Sequence, residues 1–169
     1  MAEQQEEMRS RANTIVKHHA AMAAGFGMMP VPYADLAAVV AVQINMMREL
    51  SALYGTPFEK ERGRAVIAGL LGGGLPFAAS GLPLIGSTLK LVPVVGSVLG
   101  AAIMPGLSTA TTLALGRIFT NHFEAGGSLL DFNVAAMRKA FKGEMAKAKE
   151  EAPDIEAEAA RTAGTPSAA

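Results

Sequence analysis

Cysteine and tryptophan are absent from this 169-residue chain, and two tyrosines and seven phenylalanines supply its only aromatic rings. Without cysteine there is no disulfide framework, no thiolate nucleophile and no Cys-based metal site, a usage that fits a reducing compartment. Charge is also scarce. Charged residues make up 18% of the chain, against about a quarter in a typical globular domain. Fifteen basic and fifteen acidic residues cancel, so no global field steers the chain toward nucleic acid, which is not expected as a partner. The opening MAEQQEEMRSR is acidic and then mixed, unlike the basic start of a secretory signal, so export is not expected. The largest deficit is local: 52 residues separate Arg64 from Arg117, and Lys90 is the only charge among them.

What is present is half hydrophobic, drawn from Ala, Leu, Val and ten methionines, with 18 glycines among them. That mixture favours close helix approach over large side-chain jigsaws. Strand-like alternation and repeats of fixed period do not appear, so the fold class is all-α. Residues 1–12 read as the charged start of a first helix. Pro30 and Pro32 end the hydrophobic stretch that follows, because proline supplies no N–H and disfavours helix before it. A second helix is expected from Pro32 or Tyr33 to Gly55, with Leu36, Val39, Val40, Gln43, Met47 and Leu50 on one face. Thr56-Pro57-Phe58-Glu59 reads as a capping box that opens a third helix. Another helix is expected from about Pro93 to His122 or Glu124, stopped by Gly126 and Gly127. A basic amphipathic helix spans 133–152, its stripe of Val134, Met137, Phe141 and Met145 beside Arg138, Lys139, Lys142, Lys147 and Lys149. Such a helix suits either an anionic lipid surface or packing on the rest of a bundle. Residues 153–169, beginning at Pro153, read as a disordered tail.

The apolar run divides at Lys90 into halves of 25 and 26 residues, each longer than the roughly 20 needed to cross a bilayer core. Residues 65–116 therefore read as a glycine-rich hairpin inserted in the membrane, with Lys90 at its far tip. Gly72, Gly73 and Gly74 bend the first half, and Gly96-x-x-x-Gly100 permits close helix contact and self-association in the second. Arg62, Arg64 and Arg117 at the near ends, with Arg138, Lys139 and Lys142, are candidate contacts for the membrane surface or a partner. By the positive-inside rule they face the cytoplasm. Asp35 falls in the first turn after Pro32, where the positive helix end welcomes a carboxylate; a functional intramembrane role is the alternative.

Chemistry-bearing motifs are thin. Gly81 to Thr88 approaches a phosphate-binding loop, but Ser87 stands where lysine is required and no strand precedes it. His18, His19 and His122 lack carboxylate or histidine partners at metal-ligand spacing. No catalytic residue, cofactor or metal is expected, and the chain is not expected to be an enzyme.

Three phrases carry a family resemblance: MMPVPYADLAAVVAVQINMMRELSALYGTPFEKERGRAVIAGLLGG, LKLVPVVGSVLGAA and ALGRIFTNHFEAGGSLLDF. In this order they resemble the YcjF-like family of bacterial domains of unknown function, over about Ile15 to Phe132 and assigned here to residues 13–132. The resemblance implies an α-helical domain associated with the cytoplasmic membrane, in some relatives placed behind a Ras-like GTPase domain that this sequence lacks. Pro30, Pro32, Asp35, Tyr54, Gly55 and the Arg117–Glu124 phrase match the family pattern, with no roles to carry over. The expectation is a helical bundle with a membrane-inserted hairpin that docks, scaffolds or remodels the cytoplasmic membrane. Its expected partners are the lipid bilayer, further copies of itself, and a separate GTPase or other protein. Two alternatives stand beside it: a pore lined by the glycine-rich helices, and a soluble oligomer that buries the run between subunits.

Overall fold

The structure is a computed structural model that describes residues 2–27, 34–71 and 95–163. These form five α-helices: α1 (Ala2–Gly27), α2 (Ala34–Leu53), α3 (Lys60–Leu70), α4 (Val95–Glu124) and α5 (Val134–Ala163). No strand occurs among the described residues, so the all-α expectation holds for them.

Helix α4 is the axis of the bundle, with α1, α2 and α5 packed around it. Contacts along its length fix the directions. Ser108 bonds the Ala23 carbonyl (3.1 Å), Gly116 faces Val16, and Arg9 reaches Asn121 and Glu124, so α1 runs antiparallel to α4. Gln43 meets Thr112 and Tyr54 meets Glu124, which makes α2 parallel to it. Phe132 stacks near Phe119, Arg117 pairs with Glu144 and Glu151, and Thr109 bonds Glu156, so α5 is antiparallel. Helix α3 lies against α2 and α5.

This arrangement corrects the reading of residues 65–116 as one membrane hairpin. Every position from Thr109 to Gly116 is buried, so α4 is surrounded by protein there. A helix that is apolar all round suits a bundle's central position as well as lipid. The polar outer surface that the run itself lacks comes from α1 and α5. At the other end of the run, Val66, Ile67 and Leu70 of α3 are likewise in the core. Among the described residues no helix is long and apolar enough to cross a membrane.

Helix ends follow local chemistry, with two corrections. Gly55 adopts φ 65° after α2, and the bonds Gly55 N–H to Ala52 O and Thr56 N–H to Ser51 O close a Schellman turn. Thr56 is thereby used to finish α2, and its hydroxyl also points at the Ser51 carbonyl (3.4 Å). The capping box therefore does not form, and α3 starts one residue past Glu59 with no side-chain cap. Gly126 (φ 82°) ends α4 as expected, with Gly127 N–H bonded to His122 O. Asn133 Oδ1 then accepts from Ala136 N–H and starts α5. Helix α5 does not stop at Pro153 but continues to Ala163. Ala152 on one side of Pro153 and Ile155 on the other are held on the core. The proline itself is exposed, so the interrupted bond falls on the solvent face, where water satisfies the freed carbonyl.

Candidate functional site: the uncharged end of the bundle

Charge is unevenly placed along each core helix. In α1 the last charge is Lys17; in α2 only Asp35 precedes Arg48; in α4 none precedes Arg117. Because α1 is antiparallel to α2 and α4, these three charge-poor halves meet at one end of the bundle, with Asp35 in the first turn of α2 as the one formal charge among them. The opposite end gathers Arg9, Glu124, Tyr54, Arg62 and Asp131. Helix α5 is the exception, since its acidic second half runs back along α4. Glu156 accepts from Thr109 (2.9 Å) and lies beside Gly106, while Asp154 and Glu158 are exposed. That level of the bundle is therefore exposed to water.

Below this end runs a polar layer in which Gln43 and Asn45 make hydrogen bonds between helices. Gln43, 2% exposed, donates to Thr112 Oγ1 (3.3 Å), which itself bonds back to the Ser108 carbonyl (2.8 Å). Thr111 does the same to Leu107 O (2.6 Å). The signal was the threonine-rich STATT segment, whose hydroxyls can satisfy themselves on the preceding turn of their own helix. Gln43 Oε1, Ser51 Oγ and Thr120 Oγ1 are buried without a hydrogen-bond partner. His19, 1% exposed, bridges α1 and α2: Nδ1–H donates to the Ile15 carbonyl (2.9 Å), leaving Nε2 to accept from Asn45 (3.2 Å). Asn45 also donates to Glu49 and accepts from Arg48, which fixes its orientation. This network ties two helices together and presents no free nucleophile.

The candidate residues from sequence are distributed as follows. Gly72, Gly73, Gly74 and Lys90, with Pro30 and Pro32, lie outside the described residues. Gly96 and Gly100 lie in the first turns of α4, and Asp35 is the second residue of α2, in its first turn. Arg62 donates to the Leu130 carbonyl, Arg138 to the Gly69 carbonyl, and Arg64 pairs with Glu61. Arg117, 26% exposed, reaches Glu151 at 2.5 Å and Glu144 at 3.8 Å. The four arginines are thus engaged with their own chain, whereas Lys139 and Lys142 project from α5.

The fold does bring a serine, a histidine and an aspartate together at the turn between α4 and α5. Their bonds are those of a loop clasp. Ser128 Oγ and N–H both donate to Asp131 Oδ1, and His122 Nε2 donates to the Ser128 carbonyl, so neither hydroxyl nor imidazole is aimed outward. The two Ser128 bonds hold the Asp131 carboxyl below its usual range. Nearby, Tyr54 donates to Glu124 Oε1 (3.1 Å), joining two family-pattern segments. Burial first, and then the Glu124 carboxylate, push its hydroxyl up to about 12. The neutral phenol is therefore favoured by the fold, and its contribution is present below pH about 10 and lost as pH rises through about 12. In a Tyr33→Phe chain, spectrophotometric titration is expected to show the remaining tyrosine ionising near 12, and titration at the ordinary value of about 10 would contradict the Glu124 bond.

Among the described residues no group of three His, Asp or Glu side chains is placed to hold a metal ion. Fold and site together define a helical module whose distinguishing feature is its sidedness: a charged end, an uncharged end, and a buried central helix between them. The chain belongs to the family described as Domain of unknown function (DUF697), whose model matches residues 2–148. It is 40% identical over 146 residues to Magnetosome membrane protein 22 of Magnetospirillum gryphiswaldense, covering 86% of this chain and 74% of that protein. No solved structure matches it.

Proposed function

We propose that the chain is a non-enzymatic, membrane-associated module that anchors its helical bundle to the cytoplasmic membrane and docks or scaffolds other proteins there. The observation that carries this reading is the convergence of three charge-poor helix halves, with Asp35 their one formal charge, at one end of the bundle. Residues 72–105, with Lys90 as their only charge, lead in sequence into and through the first turns of α4. Lipid contact is assigned to this stretch alone, since 65–71 and 106–116 belong to the bundle. The membrane setting named for the magnetosome relative supports it. Two finer elements belong to this reading: a cytoplasmic face for the charged end, from the positive-inside rule, and a GTPase on another chain as a docking partner, suggested by the resemblance to YcjF-like domains.

Flotation with vesicles of phosphatidylethanolamine and phosphatidylglycerol tests this. The full chain is expected to float. A variant with residues 72–94 replaced by a Gly/Ser linker is expected to stay at the bottom while keeping its helical circular dichroism and melting transition. A linker variant that floats like the wild type would remove lipid contact from this segment.

A further inference from the structure

Helix α5 carries its charges unevenly. On its exposed side Lys139, Lys142 and Lys149 come first, Glu150, Asp154 and Glu158 follow, and Arg161 stands in the last turn. Other α5 charges are already used inside the chain: Lys147 with Glu144, Glu151 with Arg117, and Glu156 with Thr109. Between the centres of the two exposed blocks the helix rises roughly 16 Å, so opposite charges come near each other only at the junction, where Lys149 adjoins Glu150. The opposite face is occupied, because Phe141, Ala148 and Ala152 are in the core and Met137, Met145 and Ile155 pack against it.

The geometry points to antiparallel pairing of α5 with α5 of a second copy of this chain. Turned end for end, the basic block of each helix faces the acidic block of the other, and a two-fold axis closes the pair. With that axis beside Ala146, Lys139 lies opposite the partner's Asp154, and Gly143 lies opposite the partner's Glu150. Exposed Ala136, Gly143, Ala146 and Ala157 along the same side let the backbones come close. A flat anionic lipid surface is a poorer occupant of this face, since it attracts the first block and repels the second. This pairing is independent of the apolar end and of what that end contacts.

Absence of native cysteine makes the test direct. Single variants Ala146→Cys and Ala157→Cys of the full chain are oxidised with copper phenanthroline in the expressing cells. Ala146→Cys is expected to give a disulfide-linked dimer and Ala157→Cys none, whereas Ala136→Cys mixed with Ala157→Cys is expected to form a heterodimer. Adding Lys139→Glu and Lys142→Glu to Ala146→Cys is expected to abolish its dimer. Co-expression of that variant with Ala146→Cys carrying Glu150→Lys and Asp154→Lys is expected to restore it. Equal cross-linking at 146 and 157, or a dimer indifferent to the charge reversals, would overturn antiparallel pairing. So would failure of Ala146→Cys to cross-link while Lys139→Glu and Lys142→Glu weaken flotation on anionic vesicles, which would assign the basic block to lipid.

Discussion

Gly116→Ala is expected to destabilise the fold by about 1–3 kcal/mol, a fall in melting temperature of roughly 3–10 °C for a chain of this size. A Cβ built on Gly116 meets both γ-carbons of Val16 at 2.5 Å and its β-carbon at 3.0 Å. Valine is branched at Cβ and cannot swing both methyls clear, so α1 and α4 must separate. That separation disturbs the core that Ala12, Val16 and Ala20 of α1 share with Ala110, Leu113 and Ala114 of α4. Val16→Ala in the same chain returns the space and is expected to recover most of the loss. Thermal or urea unfolding of the two single variants and the double variant measures this coupling. Additive effects would mean that the helices do not touch at this point.

Arg117→Met is the second large effect, expected to cost about 1–2 kcal/mol, between the values for an exposed pair and for a buried pair broken on one side. The guanidinium is partly covered and lies between Glu151 and Glu144, the latter 19% exposed. Removing it leaves Glu151 facing the middle of α4 without its cation and Glu144 with Lys147 alone. Adding Glu144→Gln and Glu151→Gln to Arg117→Met is expected to recover stability, which a loss of packing alone would not allow. If unfolding shows Arg117→Met to be as stable as the wild type, the link from α4 to α5 is a surface contact only. Because this arginine is committed to its own chain, it is a clamp within the bundle.

How much was legible in the sequence depended on whether a feature acted locally. Gly126 and Asn133 declare helix ends through backbone chemistry, and the all-α class followed from spacing. The stripe of Val134, Met137, Phe141 and Met145 was also legible, and the structure places it on the bundle. Features that depend on neighbours were not. Thr56 has the chemistry of an N-cap, yet the left-handed Gly55 before it turns it toward the end of α2. Pro153 ends helices in isolation, but packed residues on both sides carry α5 through it. The same limit governed the apolar run. A helix without charge has one sequence signature for two surroundings, lipid or protein, and only the placement of α1, α2 and α5 around Thr109–Gly116 separates them. Asn45 in an apolar helix face reads as a hydrogen-bonder between helices, but that its partner is His19, 26 residues away, depends on how α1 and α2 pack.

What the polarity of the bundle asks of the living cell is attachment at one end. Sodium carbonate washing of membranes from cells making the full chain measures this most directly. The protein is expected to remain in the pellet, held by residues 72–105, while the Gly/Ser-linker variant appears in the supernatant as a folded protein. Recovery of the unaltered chain in the wash, folded and free of lipid, would contradict a membrane role for the uncharged end.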